Sequence, residues 1–321
     1  MSRLLCSPES PTFDELTFFL ENGSPNRALR KDEAINHVHW ATTRRPQPSR
    51  LTALAIDHRA QLEEMARNAG ASPDRINAFK RCAVRAAAEV ADGRDGFGVL
   101  LDDQYGREAL FDAAGHPLWI GRPVEEPGSR PLRFQYDQDI GGRLAEWPVT
   151  HTVKCLAFYH PDDDDALKAE QTEKLVQLHR AVRRTGHELL VEIIAGKHGT
   201  VDDTTIARAI GELYDAGIKP DWWKLEAQAS SDAWAAICGT IAERDSYCRG
   251  IVVLGLDAPA DALGQAFSLC AGHDLIRGFA VGRTIFAEAA RQYLAGAIDD
   301  DAATRIMADN FRRLVDAWPE S

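Results

Sequence analysis

The chain has 321 residues, 45% of them hydrophobic and 27% charged, with a formal net charge of −12. This is enough apolar material for one large domain, and the acidic balance argues against nucleic acid or an anionic membrane as the main partner, because both demand a basic face. No apolar run reaches the ~18–20 residues that span a bilayer, the N-terminal "MSRLLCSPESPTFDE" lacks the apolar core of a signal peptide, and the six cysteines are scattered with no C-x-x-C pair. They read as core thiols in a reducing compartment, and the expectation is a soluble, cytoplasmic protein. An anionic small molecule stays open as a partner, since it needs only a local cluster of cations and N–H groups.

In chain order, residues 1–49 are rich in Pro, Ser, Asn and Arg, with one amphipathic piece, "TFDELTFFLE". They read as a partly helical extension or linker before a main domain at 50–321. Within them "HVH" at 37–39 has the spacing that puts two imidazoles on one face of a strand. No Cys or carboxylate accompanies it at zinc-site spacing, so no metal is expected.

From residue 51 strand-like and helix-like segments alternate. Apolar, β-branched runs occupy 51–57, 96–103, 151–160, 188–196, 221–227, 250–256 and 276–282. Helical patterns lie at 74–91, 164–186, 203–217, 231–244, 259–272, 284–295 and about 300–317. Continuous apolar strands mean burial on both faces, as in a parallel sheet. The interval 103–150 has room for a helix ("GREALFDAAG"), an eighth short strand in or after "HPLWIGRP", a long loop ("RPVEEPGSRP") and a further helix. Eight βα units in ~240 residues predict a (β/α)8 TIM barrel. The competing doubly wound sheet lacks support, because no G-x-G-x-x-G or G-x-x-x-x-G-K-[ST] follows any strand. "DDDD" at 162–165 precedes a long helix and reads as N-cap and first-turn acids.

The charges inside these strands are the chemical signal. Asp57, His58 and Arg59 end the first strand, and Asp102 and Asp103 the second. Lys154 lies in the fourth, Glu192 in the fifth, Lys224 and Glu226 in the sixth. Gly255 closes the seventh, and Gly282 with Arg283 carries the eighth into its helix. A single buried charge is readily a structural ion pair; a set of them converging on the carboxyl ends of one barrel, where barrel active sites lie, points to a site. A lysine crowded by apolar walls and a second cation becomes a free amine near neutral pH, able to form a Schiff base that withdraws electrons during C–C cleavage. Lys224 is the candidate, with Trp222 and Trp223 as walls, Lys154 as the second cation and Glu192 as proton shuttle. The alternative is that Lys154, Glu192, Lys224 and Glu226 merely neutralise one another. Helix N-terminal N–H groups with Arg283 suit a phosphate.

"LTALAIDHRAQL", "GVLLDDQYG", "TVKCLAFYHPD", "LLVEII", "DWWKLEA", "VVLGL" and "GFAVGRTIF", in this order, resemble the class I aldolase barrels of the tagatose-bisphosphate aldolase type. The chain is more similar still to the aldolase module of bacterial myo-inositol catabolism, often the C-terminal half of a fused kinase–aldolase polypeptide. The resemblance implies cleavage of 2-deoxy-5-keto-D-gluconate 6-phosphate to dihydroxyacetone phosphate and malonate semialdehyde, without cofactor or metal. It implies Lys224 as the Schiff-base lysine, Glu192 as proton shuttle, Lys154 and Asp57 as polar partners, and Arg283 with backbone near Gly255 and Gly282 on the phosphate. His58 stands where tagatose-type enzymes often carry Gln, and "VVLGLD" lacks their strand-seven serine. Arg59 and Arg122 are the candidate cations for the substrate carboxylate. Asp102, His58 and Glu226 complete the expected binding set. A second copy of the chain and a sugar-acid kinase are the protein partners that remain open. The alternatives are another class I ketose-phosphate, bisphosphate or sulfosugar-phosphate aldolase, or a non-catalytic barrel that binds a sugar phosphate.

Overall fold

The computed structural model describes residues 31–135 and 139–319. The chain divides into Met1–Pro46 and Gln47–Ser321. In the first unit the described part is helix α1 (Lys31–Thr43). The amphipathic piece at 12–21 lies outside the described residues. His37 and His39 fall inside α1, so the strand reading of "HVH" is corrected: two residues apart on a helix, they do not share a face.

The second unit is a closed barrel of eight parallel strands in the order β1 to β8. The strands are β1 (Leu51–Ala55), β2 (Phe97–Leu100), β3 (Trp119–Pro123), β4 (Thr152–Ala157), β5 (Leu189–Ile193), β6 (Trp222–Glu226), β7 (Gly250–Leu254) and β8 (Ile276–Val281). The barrel closes where Leu51 of β1 pairs with Gly278 of β8. Between the strands run α2 (Ala60–Asn68), α3 (Asp74–Ala91), α4 (Arg107–Ala114), α5 (Ile140–Ala145), α6 (Asp165–Thr185), α7 (Thr205–Asp215), α8 (Ser231–Arg244) and α9 (Ala260–Ser268). Two more, α10 (Arg283–Leu294) and α11 (Asp300–Asp316), follow β8. The eighth strand is therefore "WIGRP". Helix α2, next to the site, has no counterpart among the helical patterns read from the sequence.

Two cores follow from the period of two along a strand. Leu51, Ala53, Ala55, Leu100, Trp119, Leu190, Trp222, Val252 and Ala280 fill the barrel interior. Their neighbours Leu54, Val99, Val153, Val191, Trp223, Leu225 and Val253 face outward into the layer beneath the helices. The acidic run at 162–165 behaves as expected at its third member: Asp164 caps α6 by accepting from the Leu167 amide at 2.9 Å. The segment after β3 is more ordered than a long loop. Glu125 bridges Phe134 antiparallel, and the Gln135 amide donates to Val124 O at 2.8 Å. That short return places Glu125 over the barrel mouth. Among the described residues no helix is long and apolar enough to cross a membrane.

Candidate active site

Alternation on β6 sends Trp222, Lys224 and Glu226 inward and Trp223 and Leu225 outward. The two tryptophans therefore part company, which corrects their pairing as walls of one lysine. Trp222 lies in the barrel interior, while the Trp223 indole N–H donates to Tyr214 Oη of α7 at 2.8 Å, behind the sheet. Above the interior apolar layer, a cavity of about 620 Å³ opens at the carboxyl ends of the strands. Ten of the expected residues line it together: Asp57, His58, Arg59, Lys154, Glu192, Lys224, Glu226, Gly255, Gly282 and Arg283.

Strand register brings the charges into contact. Glu192 and Lys224 are partners across β5 and β6, and Lys224 Nζ lies 2.9 Å from Glu192 Oε1. The other oxygen of Glu192 is 2.9 Å from Lys154 Nζ. Lys154, on β4, also reaches Asp57 Oδ2 at 3.0 Å and Glu125 Oε1 at 2.9 Å. Arg59 Nη2 ends the chain, 3.1 Å from Glu125 Oε1. Three cations and three carboxylates thus alternate through a buried network of no net charge. The Lys154 ammonium sits at its centre, between the three carboxylates.

The network fixes the protonation states. Burial opposes ionisation of Asp57, but Lys154 and Lys224, with His58 and Arg59, hold its carboxyl far below the usual range. Burial likewise works against Glu192, and Lys154 and Lys224 still lower it. Burial resists the charge on Lys154, yet Asp57, Glu125 and Glu192 raise it well above an ordinary lysine. Lys154 is thus a fixed cation held by three carboxylates, while Lys224, which also lines the cavity, is held by Glu192 alone.

His58 is pushed down to about 4 by burial, with Asp57 opposing and Lys224, Lys80 and Lys154 assisting. Its imidazole is neutral at pH 7. The unfolded chain takes up a proton near pH 6.5, so between pH 6.5 and 4 the unfolded state binds more protons and stability falls as pH falls. His151, lowered to about 4 mainly by burial, acts in the same direction. Each contributes up to ~3 kcal/mol of acid sensitivity. Urea unfolding of the H58N variant is expected to show a shallower loss of stability from pH 7 to pH 4.5 than the unsubstituted protein.

At the β7–β8 end, Gly282 is the N-cap of α10. A Cβ there would lie 2.6 Å from Ala55 O and 2.5 Å from His58 Cε1, so only glycine permits this approach. After β7, Leu256 and Asp257 take left-handed φ values of 43° and 67°, a costly turn for two non-glycine residues. It carries Asp257 to 3.2 Å from Arg283 Nη1.

Three placements differ from the sequence reading. Asp102 does not line the cavity. It lies just past β2 and is fully buried against the Lys80 ammonium of α3, which also donates to Ile56 O at 2.7 Å and His58 O at 3.0 Å. The D102N variant is expected to lose ~3 kcal/mol or more of stability, because it strands a buried ammonium, while kcat/KM stays within about threefold; denaturant midpoints with steady-state kinetics test this. Arg122, offered for a substrate carboxylate, points to the outer face of β3 by the same alternation. It packs 3.8 Å from the Trp147 ring centroid and 3.2 Å from Asp103. Glu226 does not pair with a cation of the network: it accepts the Ala195 amide at 2.8 Å and the Gly196 amide at 3.1 Å. The sequence reading passed over Glu125, Lys80 and Lys197. Glu125 carried a faint signal as an acid two residues past a strand end; Lys80 carried none, since it lies on a helix and is buried by tertiary contact.

Among solved structures, the barrel is similar to a fructose-bisphosphate aldolase from Plasmodium falciparum, determined in complex with TRAP and a small-molecule inhibitor. The TM-score is 0.64 at 12% identity, over 90% of this chain and 97% of that one. At that identity the likeness speaks to the fold alone, a TIM barrel. No curated protein matches the sequence. Residues 15–321 match the family described as "Uncharacterized protein conserved in bacteria (DUF2090)", and the chain belongs to that family.

Proposed function

We propose that the protein is a class I aldolase that cleaves 2-deoxy-5-keto-D-gluconate 6-phosphate to dihydroxyacetone phosphate and malonate semialdehyde, with Lys224 as the Schiff-base nucleophile. The observation that carries the reading is the Lys224–Glu192–Lys154 chain at the base of the cavity, with contacts of 2.9 Å at both links. It gives an amine on the cavity wall, a carboxylate within proton-transfer distance, and a second cation that keeps this carboxylate ionised. The resemblance of the seven sequence motifs to the myo-inositol aldolase module supplies the substrate.

The chemistry follows from the residues. Lys224 adds to the C5 ketone after giving a proton to Glu192, Glu192 returns that proton to the carbinolamine hydroxyl, and loss of water leaves a protonated imine. Glu192, directly or through water, accepts the C3 hydroxyl proton. The C3–C4 bond breaks, its electron pair moves into the imine as an enamine, and malonate semialdehyde departs. Protonation at C4 and hydrolysis release dihydroxyacetone phosphate and return the amine. Lys154 stays charged throughout, held by Asp57 and Glu125. The phosphate lies against the α10 N-terminus, where Gly282 and Arg283 line the cavity with Gly255 of the β7 loop. Neutral His58 stands beside Asp57, 3.9 Å away.

Borohydride reduction in the presence of dihydroxyacetone phosphate, followed by peptide mass mapping, is expected to leave a covalent adduct on Lys224. No adduct, or one confined to Lys154, would overturn the assignment.

A further inference from the structure

Five basic side chains among the described residues line the cavity: Arg59, Lys154, Lys197, Lys224 and Arg283. Four of them face a carboxylate within 3.2 Å: Arg59 faces Glu125, Lys154 faces three acids, Lys224 faces Glu192 and Arg283 faces Asp257. Lys197 differs. Its ammonium lies 4.5 Å from the centroid of the Phe158 ring, a contact that steadies a cation without neutralising it. Glu226, an acid beside it on the cavity wall, is spent on the Ala195 and Gly196 amides just before it.

Its place in the barrel completes the argument. Lys197 follows β5, Lys224 lies on β6, and the Gly255, Gly282 and Arg283 cluster follows β7 and β8, in the order the strands stand around the barrel. A ligand with its phosphate at the β7–β8 end and its carbonyl at Lys224 continues toward β5. There it passes the apolar cluster of Phe158, Ile194 and Leu254, one step nearer the mouth than the charged network. The two arginines that the sequence offered for a distal anion are otherwise engaged. Arg59 donates to Glu125 and Gln135, and Arg122 is behind the sheet.

We propose that Lys197 recognises a second anionic group on the substrate, on the fragment released as aldehyde, and thereby selects acidic over neutral aldehydes. This rests on the aldolase reading above and assigns its specificity residue. The test runs the reaction in the condensing direction with dihydroxyacetone phosphate and three aldehydes: malonate semialdehyde, glyceraldehyde 3-phosphate and uncharged propionaldehyde. The K197M variant is expected to raise KM for an acidic aldehyde roughly 10- to 100-fold, as befits a lost charged contact. Its kcat/KM for propionaldehyde and its borohydride adduct with dihydroxyacetone phosphate stay unchanged, and K197R regains most of the loss. The acidic aldehyde that suffers more tells whether carboxylate or phosphate is read. Equal losses for charged and neutral aldehydes, or no loss for either acidic one, would overturn the role of Lys197 while leaving the adduct intact. Failure of the unsubstituted protein to form the adduct would instead bring down the aldolase reading and this proposal with it.

Discussion

The K154M variant is expected to lose about 3–5 kcal/mol of stability, and the loss is expected to shrink as pH falls from 8 to 5. Among the described residues, Lys154 is the one ammonium that touches Asp57, Glu125 and Glu192 together. Without it, three buried carboxylates share two cations: Lys224 stays on Glu192 and Arg59 on Glu125, and Asp57 loses its direct partner. In the unsubstituted protein Asp57 and Glu192 have lowered pKa values. Their contribution is therefore fully present above the unfolded-state values near 4 and is lost as pH falls through the folded ones. In K154M the sign reverses. Crowded, uncompensated acids titrate above their unfolded values, so the folded variant binds extra protons and gains on the unfolded state as pH drops. Urea midpoints for both proteins at pH 8, 6.5 and 5 measure the difference, in which the histidine contributions cancel. A pH-independent gap between the two curves would show that the cluster is not coupled through Lys154.

Replacing Lys224 by methionine or arginine is expected to lower kcat by about 10⁴-fold or more, since both changes remove the proposed nucleophile. Stability separates this from a structural role. Glu192 keeps Lys154 at 2.9 Å, so K224M leaves no carboxylate without a cation and is expected to cost only ~1–3 kcal/mol, less than K154M. Arginine preserves the charge and still cannot form an imine. Steady-state kinetics on both variants, with denaturant curves alongside, decide the matter. Activity within tenfold of the unsubstituted protein in either variant would remove Lys224 from the chemistry.

Much of this architecture is legible in the chain because both of its periods are local. Continuous apolar runs of strand length alternate with helical patterns, which announces buried parallel strands; the eighth, "WIGRP", was bracketed by the segments around it. Alternation within "DWWKLEA" also tells that Lys224 and Glu226 share a face with Trp222, and that Trp223 opposes them. The same rule, applied to β3, would have turned Arg122 away from the cavity. What the pattern does not reach are residues whose burial is imposed from elsewhere. Glu125 sits in a Pro/Gly-rich segment that folds back through a single bridge to Phe134, and Lys80 is a helix residue until Asp102 and two carbonyls of the β1 end surround its ammonium.

The succession of buried strands and helices, and the presence of several inward charges near the carboxyl ends, were thus determined by the sequence by itself, through hydrophobic periodicity and the rule that buried charge is tolerated only where something compensates it. Which charge meets which was decided by the tertiary structure. Asp57 and Lys154 are 97 residues apart and meet at 3.0 Å, and Arg59 reaches Glu125 across 66 residues. Barrel closure and strand register set those pairings, and neither is a local property of the chain. The same closure withdrew Asp102 into the wall, committed Glu226 to two backbone amides, and left Lys197 on an aromatic ring at the cavity's edge.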